Sequence, residues 1–349
     1  MKAKYEALAD DLKRKISALE PGTRLPPVRQ MVQESGVSQF TVVRALEILE
    51  QEGYVIRRPT VGTYTSRPRR TQGLGSATRR ILLLSLDICD MAFNEVLRRT
   101  LVERGYLPRI HYFDLRESPE RWVPRVRADG ILFLAACPSH AVPVLRKRGV
   151  PLVCQGVPYS REEVDCTYGD ERGVGVMAAR HLLELGHRRL AVLNHEPDTP
   201  DGRERIAGFL DEAERAAAQV RVLDCHAELH CDSRETGKRR IMETLEEGAL
   251  DFTGLFAIND AGAVGALQAF YLRDIRVPDR VSVIGCDNRD GAAYLCPALT
   301  TFEFSHADRA NGLVDILEER LQGNDAPVVQ KAFEAKLIVR DSTGRAGDY

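Results

Sequence analysis

At 349 residues the chain exceeds what one hydrophobic core usually serves, so two or three folding units are expected. A hydrophobic content of 44% with 29% charged residues argues against dominant disorder, and no apolar run of about 18 residues offers a membrane span. The net charge of −2 hides an asymmetry: residues 1–80 hold 15 Lys+Arg against 8 Asp+Glu, the rest 34 against 43, which suits a polyanion-binding head on an acidic body.

The first residues, MKAKYEALADDLKRKI, interrupt every apolar pair with charge and cannot form a secretory h-region. Together with eight cysteines that show no CxxC spacing, this points to free thiols in a reducing cytoplasm. Tyr5, Leu8, Leu12, Ile16 and Leu19 recur at helical spacing until Pro21-Gly22 stops them. A second helix can start at Pro27, carry Val28, Met31 and Val32 inward, and end at Gly36. A third follows after a short turn, with Ser38 as N-cap and Val42, Leu46 and Leu49 on one face, which makes a helix-turn-helix. Beyond Gly53, the alternating segment YVIRRPTVGTYTS reads as a two-stranded wing. RPRRTQGLGSATRR is then a linker.

The stretch from Leu25 to Thr65 resembles the winged helix-turn-helix of the GntR family, on Leu25-Pro26, Arg29, Gly36-Val37-Ser38, Thr41-Val42, Ala45-Leu46, Leu49, Glu52-Gly53 and Gly62-Thr63. With the apolar face of the third helix committed to the core, Ser38, Gln39, Phe40, Val43 and Arg44 are left to enter a major groove. Arg44 could fork onto a guanine edge or clamp a phosphate, Gln39 could pair with adenine, and Phe40 either touches a thymine methyl or serves as packing filler. Arg29 and Ser38 are placed for the phosphate backbone, with Thr41 beside Ser38. Arg58, Gly62 and Thr63 belong to the wing, where Arg57 and Arg58 have the simpler alternative of solvating a strand. The commonest family pattern has arginine where this chain has Gln39 and Val43; TVVRA with LPxVR is similar to the YtrA-like and MocR-like branches, so base preference does not transfer.

From Arg80 onward short apolar strands alternate with amphipathic helices: ILLLSL, GILFLAA, PLVCQG, RRLAVLN, GLFAIN and VSVIGCD. This is the α/β pattern of open, doubly wound parallel sheets, and its length suggests two lobes. ARHLLELGHRR, RIAGF, Asn259-Asp260, Val277-Pro278, VSVIGCDN, PALTT and VRDST, in that order, resemble the LacI/GalR family, whose sensor shares the fold of periplasmic binding proteins. A GntR head on such a body is similar to the arabinose-repressor type of hybrid. The expected organisation is a head over 1–66, a linker over 67–79 and a body over 80–345. Its first lobe would span about 80–187 and 303–325, and its second 188–302 and 326–345.

Ligands of open parallel sheets sit beyond the carboxyl ends of the strands. Asn259-Asp260 follow GLFAI and Asp287 follows VSVIGC; Arg205 begins a helix after LAVLN; Asp87, Asp90 and Phe93 follow the first strand. By the resemblance, Arg205, Asn259 and Asp287 are the leading effector contacts, with Phe93, Asp90 and Asp170 next: acceptors for hydroxyls, a forked donor, and a flat face for C–H groups. Asp87 reads first as a strand-end cap, and Asp260 equally as cap or contact.

The resemblance implies a DNA-binding repressor that is controlled by a small effector, a sugar first, and acts as a homodimer on an inverted-repeat operator. Neither an enzyme nor a cofactor is expected. Pentose, hexose, sugar phosphate and nucleobase all fit the scaffold, although Thr199 stands where a purine binder would want arginine. The alternatives are a cytoplasmic sugar-binding protein, or an acidic-cleft hydrolase using Asp287 with Asp87 or Asp170. The GxGxxA run from Gly173 to Ala178 follows the polar VDCTYGDER, which reads as the wrong context for a dinucleotide fingerprint, so helix packing is the better account. Cys225-His226 with His230-Cys231 fits no common zinc framework, and no metal is expected.

Overall fold

The computed structural model describes residues 4–17, 19, 22–51, 54–58, 62–65, 78–86, 91–114, 116–122, 126–135, 137–156, 164–228, 231–248, 250–289, 291–324 and 327–347. The head comprises α1 (Lys4–Ser17), α2 (Val28–Ser35), α3 (Gln39–Gln51) and the antiparallel pair β1 (Val55–Arg58) and β2 (Gly62–Thr65). Ile16, Met31, Val42, Leu46 and Leu49, all picked out by helical spacing, close its core together with Val55 of β1, whereas Leu19 of the same spacing is exposed beyond the end of α1. Pro27 precedes α2, and Gly36 ends it at φ 67, a left-handed conformation that glycine adopts without a Cβ penalty. The segment before α2 also joins the wing, because the Gly22 N–H donates to the Thr65 carbonyl and the Leu25 N–H to the Thr63 carbonyl, both at 2.8 Å.

The body opens with β3 (Arg80–Leu86), α4 (Met91–Glu103), β4 (Leu107–Phe113), α5 (Pro119–Trp122), β5 (Gly130–Leu134), α6 (Val142–Arg146), β6 (Leu152–Gln155) and β7 (Asp165–Gly169). It continues with α7 (Glu171–Glu184), β8 (Arg189–Asn194), α8 (Pro200–Arg215), β9 (Gln219–Asp224), α9 (Ser233–Glu246), β10 (Gly254–Ala257), α10 (Asp260–Leu272) and β11 (Ser282–Ile284). After a 3₁₀ turn at Ala292–Tyr294 come β12 (Thr301–Phe304), α11 (His306–Leu321), β13 (Gln330–Phe333) and β14 (Ala335–Ile338). Two parallel sheets result, a six-stranded one in the order β13-β7-β6-β5-β3-β4 and a four-stranded one in the order β11-β10-β8-β9.

Each sheet is apolar on both faces, which is why its strands read as continuous hydrophobic runs. Ile81, Leu83 and Leu132 pack with α4 and α11 on one face of the first sheet, and Leu82, Leu84 and Phe133 pack with Trp122 on the other. In the second, Val192 and Phe256 meet α7 and α8, while Leu193 and Leu255 meet α9 and α10.

The strand order and the crossings between lobes correct three expectations. The segment set aside as polar, around Cys166 and Thr167, is the buried strand β7, paired on both sides by β6 and β13. Its mixed composition hid it: short hydroxyl and thiol side chains fill positions where the other strands carry Leu or Val. The chain leaves the first sheet at Gly169, and Val174, Ala178 and Leu182 of α7 pack in the second lobe's core, so the first crossing falls at Asp170 rather than near 187. Likewise β13 joins the first sheet and β14 pairs with β12 beside the second lobe's core, which puts the last crossing at Glu334 rather than before 326. The remaining crossing runs from β12 into α11, at Ser305. The expected linker lies largely outside the described residues.

The glycines of the GxGxxA run do follow a buried strand, yet helix contact accounts for them. A Cβ on Gly175 would fall on the Arg205 carbonyl of α8, and one on Gly208 would fall on the Arg172 carbonyl of α7. This mutual approach of backbones sets where α8 presents Arg205. Asp260, at the start of α10, does similar work: its carboxylate accepts from the Thr301 hydroxyl at 2.5 Å and the Arg289 N–H at 2.8 Å, and its own N–H donates to the Cys286 carbonyl at 2.7 Å. Burial first, and then the nearby Asp287 charge, push its carboxyl up to about 7.

Two outcomes follow. Gly175→Ala should lower stability by about 1–3 kcal/mol from overpacking against backbone that cannot yield, which outweighs the ~1 kcal/mol of helix propensity that alanine adds; thermal unfolding of the variant reads the balance. For Asp260, the raised folded value means a stabilising contribution present below the ordinary carboxylate range and lost as pH rises toward and through about 7. The melting temperature of the natural chain minus that of Asp260→Asn should therefore fall between pH 5 and pH 8, and a pH-independent difference would refute the assignment.

Candidate functional site

The candidate residues lie on two surfaces. In the head, Ser38 caps α3: the Thr41 N–H points at its Oγ at 3.3 Å, and the two hydroxyls lie 2.8 Å apart. The cap leaves Gln39 and Phe40 on the first turn in solvent, Phe40 72% exposed, a costly position for a ring with nothing to cover it. Arg44 lies one turn on, exposed and paired to Glu47 at 2.7 Å. Arg29 is exposed on α2. Gly62 and Thr63 open β2, and Gly62 at φ 139 leaves space that the Arg24 guanidinium occupies, with Nε 3.0 Å from where a Cβ would sit. The Arg58 backbone pairs with Gly62, and its side chain lies outside the described residues.

The body's site lies along the carboxyl edge of the second sheet. Arg205, nearly buried on α8, donates from Nε to Glu171 at 2.6 Å, from Nη1 to the Ile258 carbonyl at 2.5 Å and from Nη2 to Asp287 at 3.4 Å. Burial opposes the charge of both partners in the inner pair. It raises the Glu171 carboxyl, while Glu171 and Asp287 hold the guanidinium protonated. Asp287 adopts φ 109, in the left-handed region that a side chain avoids, and its N–H donates to the Phe302 carbonyl at 2.9 Å. Asn259 caps α10 by accepting the Gly262 N–H at 3.1 Å. Its Oδ1 also faces His195 Nε2 at 2.7 Å, and its amide nitrogen donates to Glu196 at 2.6 Å.

The fold thus brings Arg205, Asn259 and Asp287 to one edge. Of the other described candidates, neither Asp170 nor Phe93 is placed as a contact there. Asp170 spends its carboxylate on the Gly173 N–H at 2.9 Å as the cap of α7, while its own N–H donates to the Phe333 carbonyl. Phe93 is buried in the first lobe's core, with the Arg309 guanidinium 4.8 Å over its ring. Asp87 and Asp90 lie outside the described residues, as does His230. Sequence reading missed Glu171, His195 and Glu196, which follow no motif; each is singled out by a partner distant in the chain. Among the described residues no group of three metal-ligating side chains occurs, and burial pushes the Cys225 thiol up to about 12.

Residues 4–65 match the gntR family of bacterial regulatory proteins, and residues 179–343 match the periplasmic binding protein-like domain. The arabinose metabolism transcriptional repressor of Halalkalibacterium halodurans is 26% identical, over 99% of this chain and 98% of that protein. A LacI family transcriptional regulator from Enterococcus faecium, solved with bound ribose, superposes with a TM-score of 0.63 at 23% identity over 77% of this chain and 100% of that one. A periplasmic binding protein/LacI regulator from Alkaliphilus metalliredigens, complexed with D-xylulofuranose, gives 0.64 at 21% over 76% and 99%. Such identities establish a shared fold for the body. Among the described residues no helix is long and apolar enough to cross a membrane. The chain thus combines a head that matches the gntR family of bacterial regulatory proteins with a body that matches the periplasmic binding protein-like domain, the organisation of a transcription regulator.

Proposed function

We propose that this regulator is a cytoplasmic repressor released or engaged by a sugar, working as a homodimer on an inverted-repeat operator. The observation that carries the reading is the convergence of Arg205, Asn259 and Asp287 on one sheet edge, in a chain that aligns end to end with an arabinose metabolism repressor. A forked donor beside carboxylate and amide groups suits a polyhydroxyl ligand, and the two regulators solved with sugars share the body's fold.

In this reading the sugar exchanges hydrogen bonds with Arg205 and Asp287, whose 3.4 Å contact is the loosest of the arginine's three. Asp287 is bonded to β12, so the site adjoins a crossing, and a ligand that prefers the closed lobes shifts the dimer's spacing of its heads. That shift is bounded by the ligand's differential affinity for the two arrangements. Phe93 can offer its face to a sugar once Arg309 swings off it, Asp90 is retained as a candidate contact from the sequence, and Asp170 contributes as a cap rather than a contact. On DNA, Gln39, Phe40 and Arg44 read bases, Arg29, Ser38 and Thr41 hold phosphates, and Arg58, Gly62 and Thr63 place the wing.

Gel-shift titration on the chain's own promoter, with and without each of a set of pentoses and hexoses, tests the proposal. A sugar that changes operator affinity at least about tenfold is expected; sugar-insensitive binding, or full-affinity binding of a monomer to one half-site, would sink it. Arg44→Ala should weaken operator binding by roughly 10- to 100-fold, the value of one bidentate base contact, with little change for scrambled DNA. Arg205→Lys, which keeps the charge Glu171 requires but loses the fork, should leave sugar-free operator binding in place and blunt the response to sugar.

A further inference from the structure

The lobe-two wall extends beyond the expected residues through a hydrogen-bond chain whose polarity is fixed. Asn259 Oδ1 accepts the Gly262 N–H at 3.1 Å, so that end of the amide is the oxygen, and His195 Nε2 at 2.7 Å must donate to it. The other end is then the nitrogen, which donates to Glu196 Oε1 at 2.6 Å. Ser233, at the start of α9, donates its hydroxyl to the same oxygen at 2.5 Å. His195 Nδ1 lies 3.2 Å from the Leu193 carbonyl, so both ring nitrogens face acceptors, while burial lowers the imidazole's affinity for a second proton.

This arrangement gives Oε1 two donors and leaves Oε2 without one among the described residues, while the Asn259 nitrogen keeps a second hydrogen. Glu196 follows β8 as Asn259 follows β10, on the edge where the Ile258 carbonyl binds Arg205, and its side chain remains 27% exposed. We propose that Glu196 is a further effector-contacting residue, which with Asn259 presents a carboxylate acceptor beside an amide donor to two neighbouring hydroxyls of an unmodified sugar. One hydroxyl donates to Glu196, and its neighbour accepts from Asn259. His195 and Ser233 are positioning residues: the first fixes which way the amide faces, and the second holds the carboxylate.

The inference rests on the sugar reading above, and calorimetric titration of the full chain separates the two. The probes are D-ribose, L-arabinose, D-xylose and D-glucose at up to roughly 10 mM, enough to register a Kd of about 1 mM, each binder being paired with its analogue lacking one of two adjacent hydroxyls, such as 2-deoxy-D-ribose. The natural chain should discriminate strongly against the deoxy analogue. Glu196→Gln, which turns the acceptor at Oε2 into a donor, should bind the parent sugar roughly tenfold or more weakly and bring the parent-to-deoxy ratio toward one. Ser233→Ala should shift both in the same direction by less. For His195, Gln can still donate to Asn259 and should keep the ratio, whereas Leu should lose it. Melting curves certify that each variant folds. Binding by Glu196→Gln within twofold of the natural chain, with the ratio intact, would overturn the role of Glu196 alone, whereas no binding of any probe to the natural chain would bring down the sugar reading and this inference together.

Discussion

A guanidinium buried in a protein must find acceptors for its donors, and the body of this regulator is organised around meeting that demand for Arg205. The acceptors come from three elements: Glu171 at the start of α7, the Ile258 carbonyl after β10, and Asp287 after β11. None could move far without stranding a charge in the interior, an error that costs about 3–5 kcal/mol when one partner of a buried pair is removed. The arrangement contributes little net stability, because desolvation offsets much of the attraction. What it does provide is placement: one fork holds the ends of two strands and a helix start in a fixed relation.

The same edge carries the links to the lobe crossings. Asp287 bonds through its backbone to Phe302 and Asp260 through its side chain to Thr301, so the polar wall and β12, the strand that leads into the crossing at Ser305, share hydrogen bonds. Close helix contact fixes the remaining coordinate, since Gly175 and Gly208 let α7 and α8 approach until backbone meets backbone. A change in how the wall is occupied therefore bears on bonds that also define the crossings, the route by which the proposed function would couple the body to its head.

The head solves a simpler problem. Its core consumes the apolar face of α3, and the Ser38 cap satisfies the helix start locally, so Gln39, Phe40 and Arg44 have no packing duty. Phe40 is thereby left on the surface that the proposed function assigns to base contact. The segment before α2 braces the wing, which brings Arg24 against Gly62, a contact that neither residue advertises in the sequence.

Arg205 was marked by the family resemblance rather than by its spacing, since α8 starts at Pro200 and not at Arg205; periodicity and punctuation made legible the three head helices with Gly36 at a left-handed end, the hairpin, the long apolar strands, and Asn259 and Asp287 as residues that follow strands. These depend on local rules of spacing and backbone freedom, which a chain carries with it. The strand through Cys166 and Thr167 escaped because its burial comes from neighbours on either side rather than from its own apolarity. The lobe boundary, the capping duty of Asp170, the burial of Phe93 beneath Arg309, and the partnership of His195, Glu196 and Ser233 with Asn259 were settled only by tertiary structure. The reason is that a hydrogen bond between residues more than sixty positions apart, such as that of Glu196 with Asn259, leaves no trace in the spacing of either, and exists only once two strands have been laid side by side.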